Sequence, residues 1–366
     1  MERARFALRW PAAALALAVA LPALWVEPAV FFAGWLVAWW YCLGLVLGAL
    51  VNAWLHRLTG GRWGIAMQPV ALLLARRLPW LLLLFLPLAA GLGLLYPWAA
   101  RADGAWAREL SRPGFVIAWL SPGFFWLRML VYAAVWWLLC RPATLVRKGA
   151  AAAALIGYVL VGTLAAVDLL ESLVPGWFSS AFGLVVLSGQ ALGGTALVVF
   201  CLACWAPARV PAADGHPPVW RDFGNLLLMW LMTWAYLAFM EFLIIWAENL
   251  PHEIAWYVPR LQTGWQPVAA ALVMLQLAMP LLLLLWRAVK DRPARLAGVA
   301  ALLLVSQLLN TAWLVIPSVA PHSLVSWWVV PALALAFGLA LFGGLPTELR
   351  SGNRIDSSGE VRHAGA

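Results

Sequence analysis

The chain has 366 residues, of which 65% are hydrophobic and only 11% are charged, and its mean hydropathy is +0.88. Soluble domains carry roughly 25% charged residues, so this composition excludes a water-soluble protein and predicts an all-α polytopic membrane protein. The net charge of +9 would suit a nucleic-acid-binding protein, but the positions of the charges, given below, indicate membrane topology instead.

Apolar segments long enough to cross a bilayer, roughly 20 residues each, recur along the whole chain. Ten spans are predicted, at residues 9–25, 29–54, 79–97, 121–140, 149–173, 179–205, 223–249, 266–287, 296–317 and 323–344. The first segment also resembles a signal peptide, but no convincing small-x-small cleavage site follows it, which favours an uncleaved helix. Residues 1–345 therefore form one integral membrane domain, and residues 346–366 are predicted to be a disordered polar tail.

Two connecting segments have a distinctive composition. Residues 60–80 begin with Gly60 and Gly61, which end the second helix, and carry an apolar run too short to cross a bilayer. This run predicts a helix lying on the cytoplasmic surface. The Pro-rich linker 208–224 divides the spans into six and four.

The basic residues are distributed unequally between the two sides of the predicted bundle. Nineteen share the side of the termini, and they are Arg3, Arg5, Arg9, Arg57, Arg62, Arg76, Arg77, Arg141, Arg147, Lys148, Arg209, Arg221, Arg287, Lys290, Arg292, Arg295, Arg350, Arg354 and Arg362. The other side has only Arg101, Arg108, Arg112 and Arg260. This bias predicts that both termini are cytoplasmic, so the bilayer is the expected environment and nucleic acid is not an expected partner.

Histidine and cysteine positions argue against a metal centre held by this chain. A membrane cytochrome b needs facing pairs of histidines near the membrane interior, whereas none of the five histidines lies in the middle of a predicted span. Cys201 and Cys204 have CxxC spacing, but no second pair completes an iron–sulfur set and no His follows them. The sequence therefore predicts no metal or redox cofactor bound by this chain, so partner subunits would carry any metal centres.

An ion pair is predicted between neighbouring helices. Arg128 lies inside the fourth span and Asp168 lies near the end of the fifth, and the two spans are consecutive and antiparallel. Burying either charge alone costs roughly 2.5–3.5 kcal/mol on insertion scales. A long arginine side chain can reach the carboxylate, so pairing would hold the two helices together. A role for Asp168 in proton transfer is the alternative.

Glu241 lies in the middle of the seventh span, which has no other charge in its interior. One interpretation is a proton path that starts at Asp222 at the inner end of this span, passes Glu241 and leaves at Glu248. The other is a neutral Glu241 that hydrogen-bonds to Gln190, Gln276, Gln307 or Asn310. Asp222 is also explained by helix capping.

Four stretches together resemble a known membrane subunit. They are LHRLTGGRWG (55–64), FFWLRMLVYAAVWWLL (124–139), VDLLESLVPGWFSS (167–180) and DFGNLLLMWLMTWAYLAFMEFLIIWAENLPHEIAWYVPR (222–260). Their order and content are similar to those of the F-type NrfD-like subunit of bacterial alternative complex III, a quinol:cytochrome c oxidoreductase. The matching positions are Arg128, Asp168, Ser172, Pro175, Trp177, Asp222, Trp234, Tyr236, Asn249, Pro251 and Glu253. Val174 and Gly176 stand where that family usually has an acid and a His, and Glu241 stands where it usually has Gln.

The resemblance implies ten helices built around two four-helix bundles, with further helices at the periphery. It implies a subunit without its own redox centre that serves as scaffold, contacts quinone or menaquinone and passes protons. The implied partners are a paired NrfD-like quinol-site subunit, an iron–sulfur subunit and multihaem cytochrome c subunits. A stand-alone secondary transporter and a purely structural membrane anchor are the alternative functions.

Overall fold

The computed structural model describes residues 2–101, 105–107, 112–213, 217–350, 354–355 and 361–362. Its helices are α1 Glu2–Ala20, α2 Ala23–Val26, α3 Pro28–Thr59, α4 Trp63–Ala75, α5 Leu78–Phe85, α6 Leu88–Leu95, α7 Pro97–Ala100, α8 Pro113–Trp119, α9 Pro122–Leu139, α10 Lys148–Leu169, α11 Phe182–Trp205, α12 Val219–Glu248, α13 Pro251–Ile254, α14 Val258–Gln262, α15 Gln266–Leu272, α16 Met279–Leu285, α17 Arg287–Lys290, α18 Pro293–Val319, α19 Ser326–Phe342 and α20 Leu345–Arg350. A π-helical turn, Val273–Ala278, joins α15 to α16. Single 3-10 turns occupy Ala105–Ala107, Pro142–Leu145, Glu171–Leu173 and Pro207–Arg209.

The described residues contain ten helices that are long and apolar enough to cross a membrane, which confirms the all-α polytopic prediction. Helix boundaries follow local chemistry. Gly60, at φ +76°, ends α3 as predicted, and Asn249 ends α12 in the left-handed conformation that asparagine tolerates. Helix α20 covers residues 346–350 of the predicted tail, and within the rest of it Arg354–Ile355 pairs antiparallel with Val361–Arg362. The remainder of the tail, and Arg3, Arg5 and Arg108 among the predicted topology charges, lie outside the residues or side chains described.

Hydrogen bonds between loops define two ends of the helix bundle. At one, here called the basic end, Arg57 donates to the carbonyl of Val146, Arg62 to that of Ala213, and Arg209 to that of Leu349. Arg221 forms a two-pronged ion pair with Asp291 at this same end, with distances of 2.9 and 2.7 Å. These contacts join segments that the predicted topology places on one side of the membrane.

The other side of the bundle, here called the opposite end, is closed by aromatic side chains. The hydroxyl of Tyr96 donates to the carbonyl of Leu169, and the indole of Trp177 donates to that of Glu253, both at 2.9 Å. The indole of Trp265 likewise donates to the carbonyl of Pro321. The loops joined by these contacts therefore alternate between the two ends, as consecutive crossings require.

Helix α4 lies at the basic end, as predicted. The residue before it, Arg62, contacts Ala213, and Arg77 just after it forms an ion pair with Glu348, so both ends of α4 lie at the basic end. The third crossing is accordingly made by α5 and α6, although by length and apolarity the stretch that qualifies as a span in this region is 63–85. The expectation that α4 lies on the surface needs correction, because most of its side chains are buried against α3, α11 and α12.

Two four-helix bundles share a central pair of helices. Helix α3 packs with α5–α6 and α10, and α9 closes that group against α5 and α10; helix α11 packs with α12 and α18, and α15–α16 closes the second group against α12 and α18. Helices α1 and α19 pack on each other outside these bundles. Helices α3 and α11 touch backbone to backbone, since a Cβ on Gly48 would lie 1.9 Å from the carbonyl oxygen of Gln190. Small residues allow this approach in membranes, where packing rather than the hydrophobic effect holds helices together.

Candidate functional site

The predicted ion pair is present at the opposite end of the first bundle. Arg128 on α9 donates from Nε to Asp168 Oδ2 at 2.6 Å and from Nη2 to Oδ1 at 3.0 Å. Asp168, near the end of α10, is fully buried, and Arg128 is 6% exposed. A two-pronged guanidinium–carboxylate contact fixes the orientation of both groups as well as their separation.

Two further donors complete the surroundings of Asp168. The hydroxyl of Tyr132 donates to Oδ2 at 2.7 Å, and the indole of Trp119 donates to Oδ1 at 2.9 Å. The remaining terminal nitrogen of Arg128 donates to the carbonyl of Trp119, and its guanidinium lies 4.3 Å from the Trp119 ring. Four donors thus converge on one carboxylate that acts as acceptor throughout, which supports a structural role for Asp168.

Glu241 accepts a hydrogen bond from the hydroxyl of Ser179, at 2.5 Å, and is 7% exposed. The alternative partners expected from the sequence were Gln190, Gln276, Gln307 and Asn310. That expectation is wrong, because the bond runs instead to the loop that precedes α11. The 3-10 turn after α10 brings a second buried carboxylate, Glu171, to the same serine, whose backbone N–H donates to Glu171 Oε1 at 3.2 Å. Ser179 therefore connects two buried carboxyl groups.

A cavity of about 650 Å³ lies beside this pair at the opposite end. Its lining combines aromatic and apolar side chains with a few polar ones, namely Phe115, Val116, Trp119, Leu120, Val167, Glu171, Ser172, Pro175, Gly176, Trp177, Phe178 and His252. Glu171 and Trp119 connect the cavity to the Ser179–Glu241 contact and to the Asp168 ion pair, respectively. This volume and mixed lining are typical of sites for small organic ligands.

The other proton-path candidates do not join this site. Asp222 lies in the first turn of α12, 19 residues before Glu241, which corresponds to about 28 Å along a helix. The N-cap position of α12 is occupied by Pro218 and not by Asp222, so the capping expectation is wrong. Glu248 lies in the last turn, about 10 Å beyond Glu241, with an exposed side chain. Of the four candidates, only Glu241 and Asp168 lie close to the cavity.

Arg260, one of the basic residues predicted to lie on the side opposite the termini, is a residue of α14 whose side chain is completely buried. It donates to the carbonyls of Trp256, Trp313 and Leu314 at 2.6, 3.1 and 2.8 Å. Its guanidinium also lies 3.2 Å from the Trp256 ring centroid. Burial lowers the pKa of this guanidinium well below its ordinary value, and the carbonyl acceptors are what compensate the buried charge.

Glu171, Ser179 and Arg260 were not selected as site residues from the sequence. Glu171 follows Asp168 by three positions, and this proximity to a predicted buried acid could have identified it from the sequence. Ser179 is 62 residues from Glu241, and nothing local marks that contact. Within the described part of the chain, no group of three or more His, Cys, Asp or Glu side chains is placed to hold a metal ion.

A scan against protein-family models gives no match for this chain, and a search of curated proteins finds no similar sequence.

Proposed function

We propose that this chain is the F-type NrfD-like subunit of a quinol:electron-acceptor oxidoreductase of the alternative complex III type. It would lie in a bacterial inner membrane with its basic end in the cytoplasm, as the distribution of arginine and lysine favours. The observation that carries the proposal is the cavity at the opposite end, which combines aromatic walls with Glu171 and His252.

The chemistry of this cavity suits a hydroquinone or menaquinol head group. Flat aromatic side chains, including Trp119 and Phe178, offer stacking surfaces for a ring. Glu171 and His252 offer acceptors for the ring hydroxyls. Oxidation of a hydroquinone releases two electrons and two protons. The electrons would pass to the iron–sulfur or haem centres of partner subunits, and Glu171, Ser179 and Glu241 would receive protons from the cavity.

Membership of such a complex is tested by purification in mild detergent through a tag on the C-terminal tail. We expect co-purified subunits that contain iron and covalently bound haem in fixed stoichiometry. A colourless chain that emerges alone would overturn the proposal. If that chain then bound or moved a solute, the transporter alternative would replace it.

The role of the carboxylates is tested by Glu171→Gln and Glu241→Gln in the assembled complex. Proton acceptors at active sites contribute about 10²–10⁴ to rate, so we expect quinol oxidation by each variant to fall at least about tenfold. Haem and iron content should stay unchanged. Glu27→Gln, in the loop between the first two spans, is the matched control and should retain full turnover. Full turnover in both test variants would favour the structural-anchor alternative.

A further inference from the structure

A line of polar side chains crosses the middle of the molecule, far from the cavity described above. Tyr158 on α10 donates to Gln190 Oε1 on α11 at 3.1 Å. On the other side, Gln276 in the π-helical turn donates from Nε2 to Gln307 Oε1 on α18 at 3.0 Å. All four side chains are buried. The line thus runs from the first bundle into the second.

Gln190 and Gln307 both line a small cavity. Its free volume is about 10 Å³, which is close to the minimum that holds one water molecule. Besides these two amides its walls include the hydroxyl-bearing side chains Tyr41 and Thr311. Glycine leaves this space open, since a Cβ on the lining residue Gly44 would lie 2.8 Å from Gln190 Cγ.

The Nε2 groups of Gln190 and Gln307 remain available as hydrogen-bond donors at this cavity. Among the residues described, none accepts a hydrogen bond from Nε2 of Gln190 or of Gln307. Leaving a buried donor unpaired costs about 1–3 kcal/mol. Because Gln276 holds Oε1 of Gln307 by its own donor, the Nε2 group of Gln307 is the one left for the cavity.

The two hydroxyl groups supply the complementary acceptors. Tyr41 donates its hydrogen to the carbonyl of Leu304 at 3.0 Å, and Thr311 donates its own to the carbonyl of Gln307 at 2.9 Å. Each hydroxyl oxygen therefore keeps lone pairs that can accept. Two donors and two acceptors around a one-molecule space match the two hydrogens and two lone pairs of water.

We infer that this cavity is a binding site for a single ordered water molecule. The water accepts from Gln190 and Gln307 and donates to Tyr41 and Thr311, so that it joins α3, α11 and α18 where the two bundles meet. Gln276 is a positioning residue, because its bond orients the Gln307 amide. The π-helical turn, a distortion often found where a helix carries a function, is the segment of the eighth span that contains Gln276. This inference does not depend on the proposed function.

Radiolytic hydroxyl-radical labelling in ¹⁸O-enriched water tests the site, because radicals formed from a bound water modify the side chains around it. Trp40 lines the cavity, whereas its neighbour Trp39 does not, and both are buried. The two rings have equal intrinsic reactivity and form a matched pair. We expect ¹⁸O modification of Trp40 to exceed that of Trp39 at least about fivefold.

The variant Thr311→Val keeps the shape of the side chain and removes one acceptor, and Gln307→Leu removes a donor. In both we expect labelling of Trp40 to fall to the level of Trp39. If Gln307→Leu fails to fold, as judged by its melting curve, Thr311→Val decides alone. Equal labelling of the two tryptophans in the unaltered protein, or unchanged Trp40 labelling in Thr311→Val, would overturn the inference.

Discussion

Replacing Asp168 by alanine is expected to lower the free energy of unfolding by about 3–5 kcal/mol, the range for removing one partner of a buried ion pair. Stability is lost because the variant leaves a buried charge unpaired. Arg128 is 6% exposed and would keep its charge with no carboxylate beside it. Tyr132 and Trp119 would lose their acceptor as well. Titration of the purified protein with a denaturing detergent, followed by tryptophan fluorescence, measures the change.

Two further variants test whether the loss of stability comes from the buried ion pair itself. Asp168→Asn keeps the shape and part of the hydrogen bonding, so it should fall between wild type and Asp168→Ala. Asp291→Asn breaks the pair with Arg221, which is partly exposed and screened by water, so its effect should be much smaller. Equal stability of Asp168→Ala and Asp291→Asn would show that the Arg128 pair does not hold α9 and α10 together.

Replacing Arg260 by alanine is expected to cost about 3 kcal/mol or more, because it leaves several buried carbonyl groups without a donor at about 1–3 kcal/mol each. The carbonyl of Trp313 is the most dependent. In a regular helix it would accept from residue 317, but that residue is Pro317 and has no N–H. Arg260 Nε occupies that place at 3.1 Å. The guanidinium of Arg260 therefore replaces the backbone hydrogen bond that Pro317 cannot donate within α18.

A double-mutant cycle with Pro317→Ala tests this account. Alanine restores the backbone donor for Trp313, so Arg260→Ala should be less costly, by about 1 kcal/mol, in that background. Arg260→Lys, which keeps one charged donor group, should recover part of the loss in the wild-type background. Strictly additive effects of the two substitutions would mean that Arg260 stabilises the loop and not the end of α18. The same denaturing titration gives all four values.

Hydropathy was sufficient to predict the all-α class and the number of membrane-spanning helices. Runs of apolar residues gave the ten crossings, because each must bury its backbone in its own hydrogen bonds across the bilayer. Helix ends were less predictable. Helix α12 begins at Val219, four residues before the expected start of its span, because Trp220 and Arg221 extend it beyond the apolar run. The burial of α4 could not be foreseen either, since apolar side chains suit a lipid surface and a protein interior equally.

The site was predictable only where its contacts join consecutive helices. Arg128 and Asp168 could be paired because antiparallel neighbours bring their adjoining ends together. The partner of Glu241 could not be found in this way, because Ser179 lies in a loop whose course depends on the whole bundle. The burial of Arg260 could not be predicted, because nothing in the local sequence distinguishes it from a solvated charge in a short loop. Pro317 offered a clue, since its missing N–H requires a substitute donor from elsewhere.

The near-complete burial of α3 has a consequence for how the chain is made. This second span finds its neighbours α11 and α18 only after residues 182 and 293, respectively, have been synthesised. Until then the glycines and Asn52 on α3 face lipid or the insertion machinery, and Asn52 lacks Thr195, to which it later donates at 2.7 Å. A ribosome stalled before α11 would therefore release a chain whose most central helix is unprotected, and membrane quality-control proteases should remove such fragments quickly.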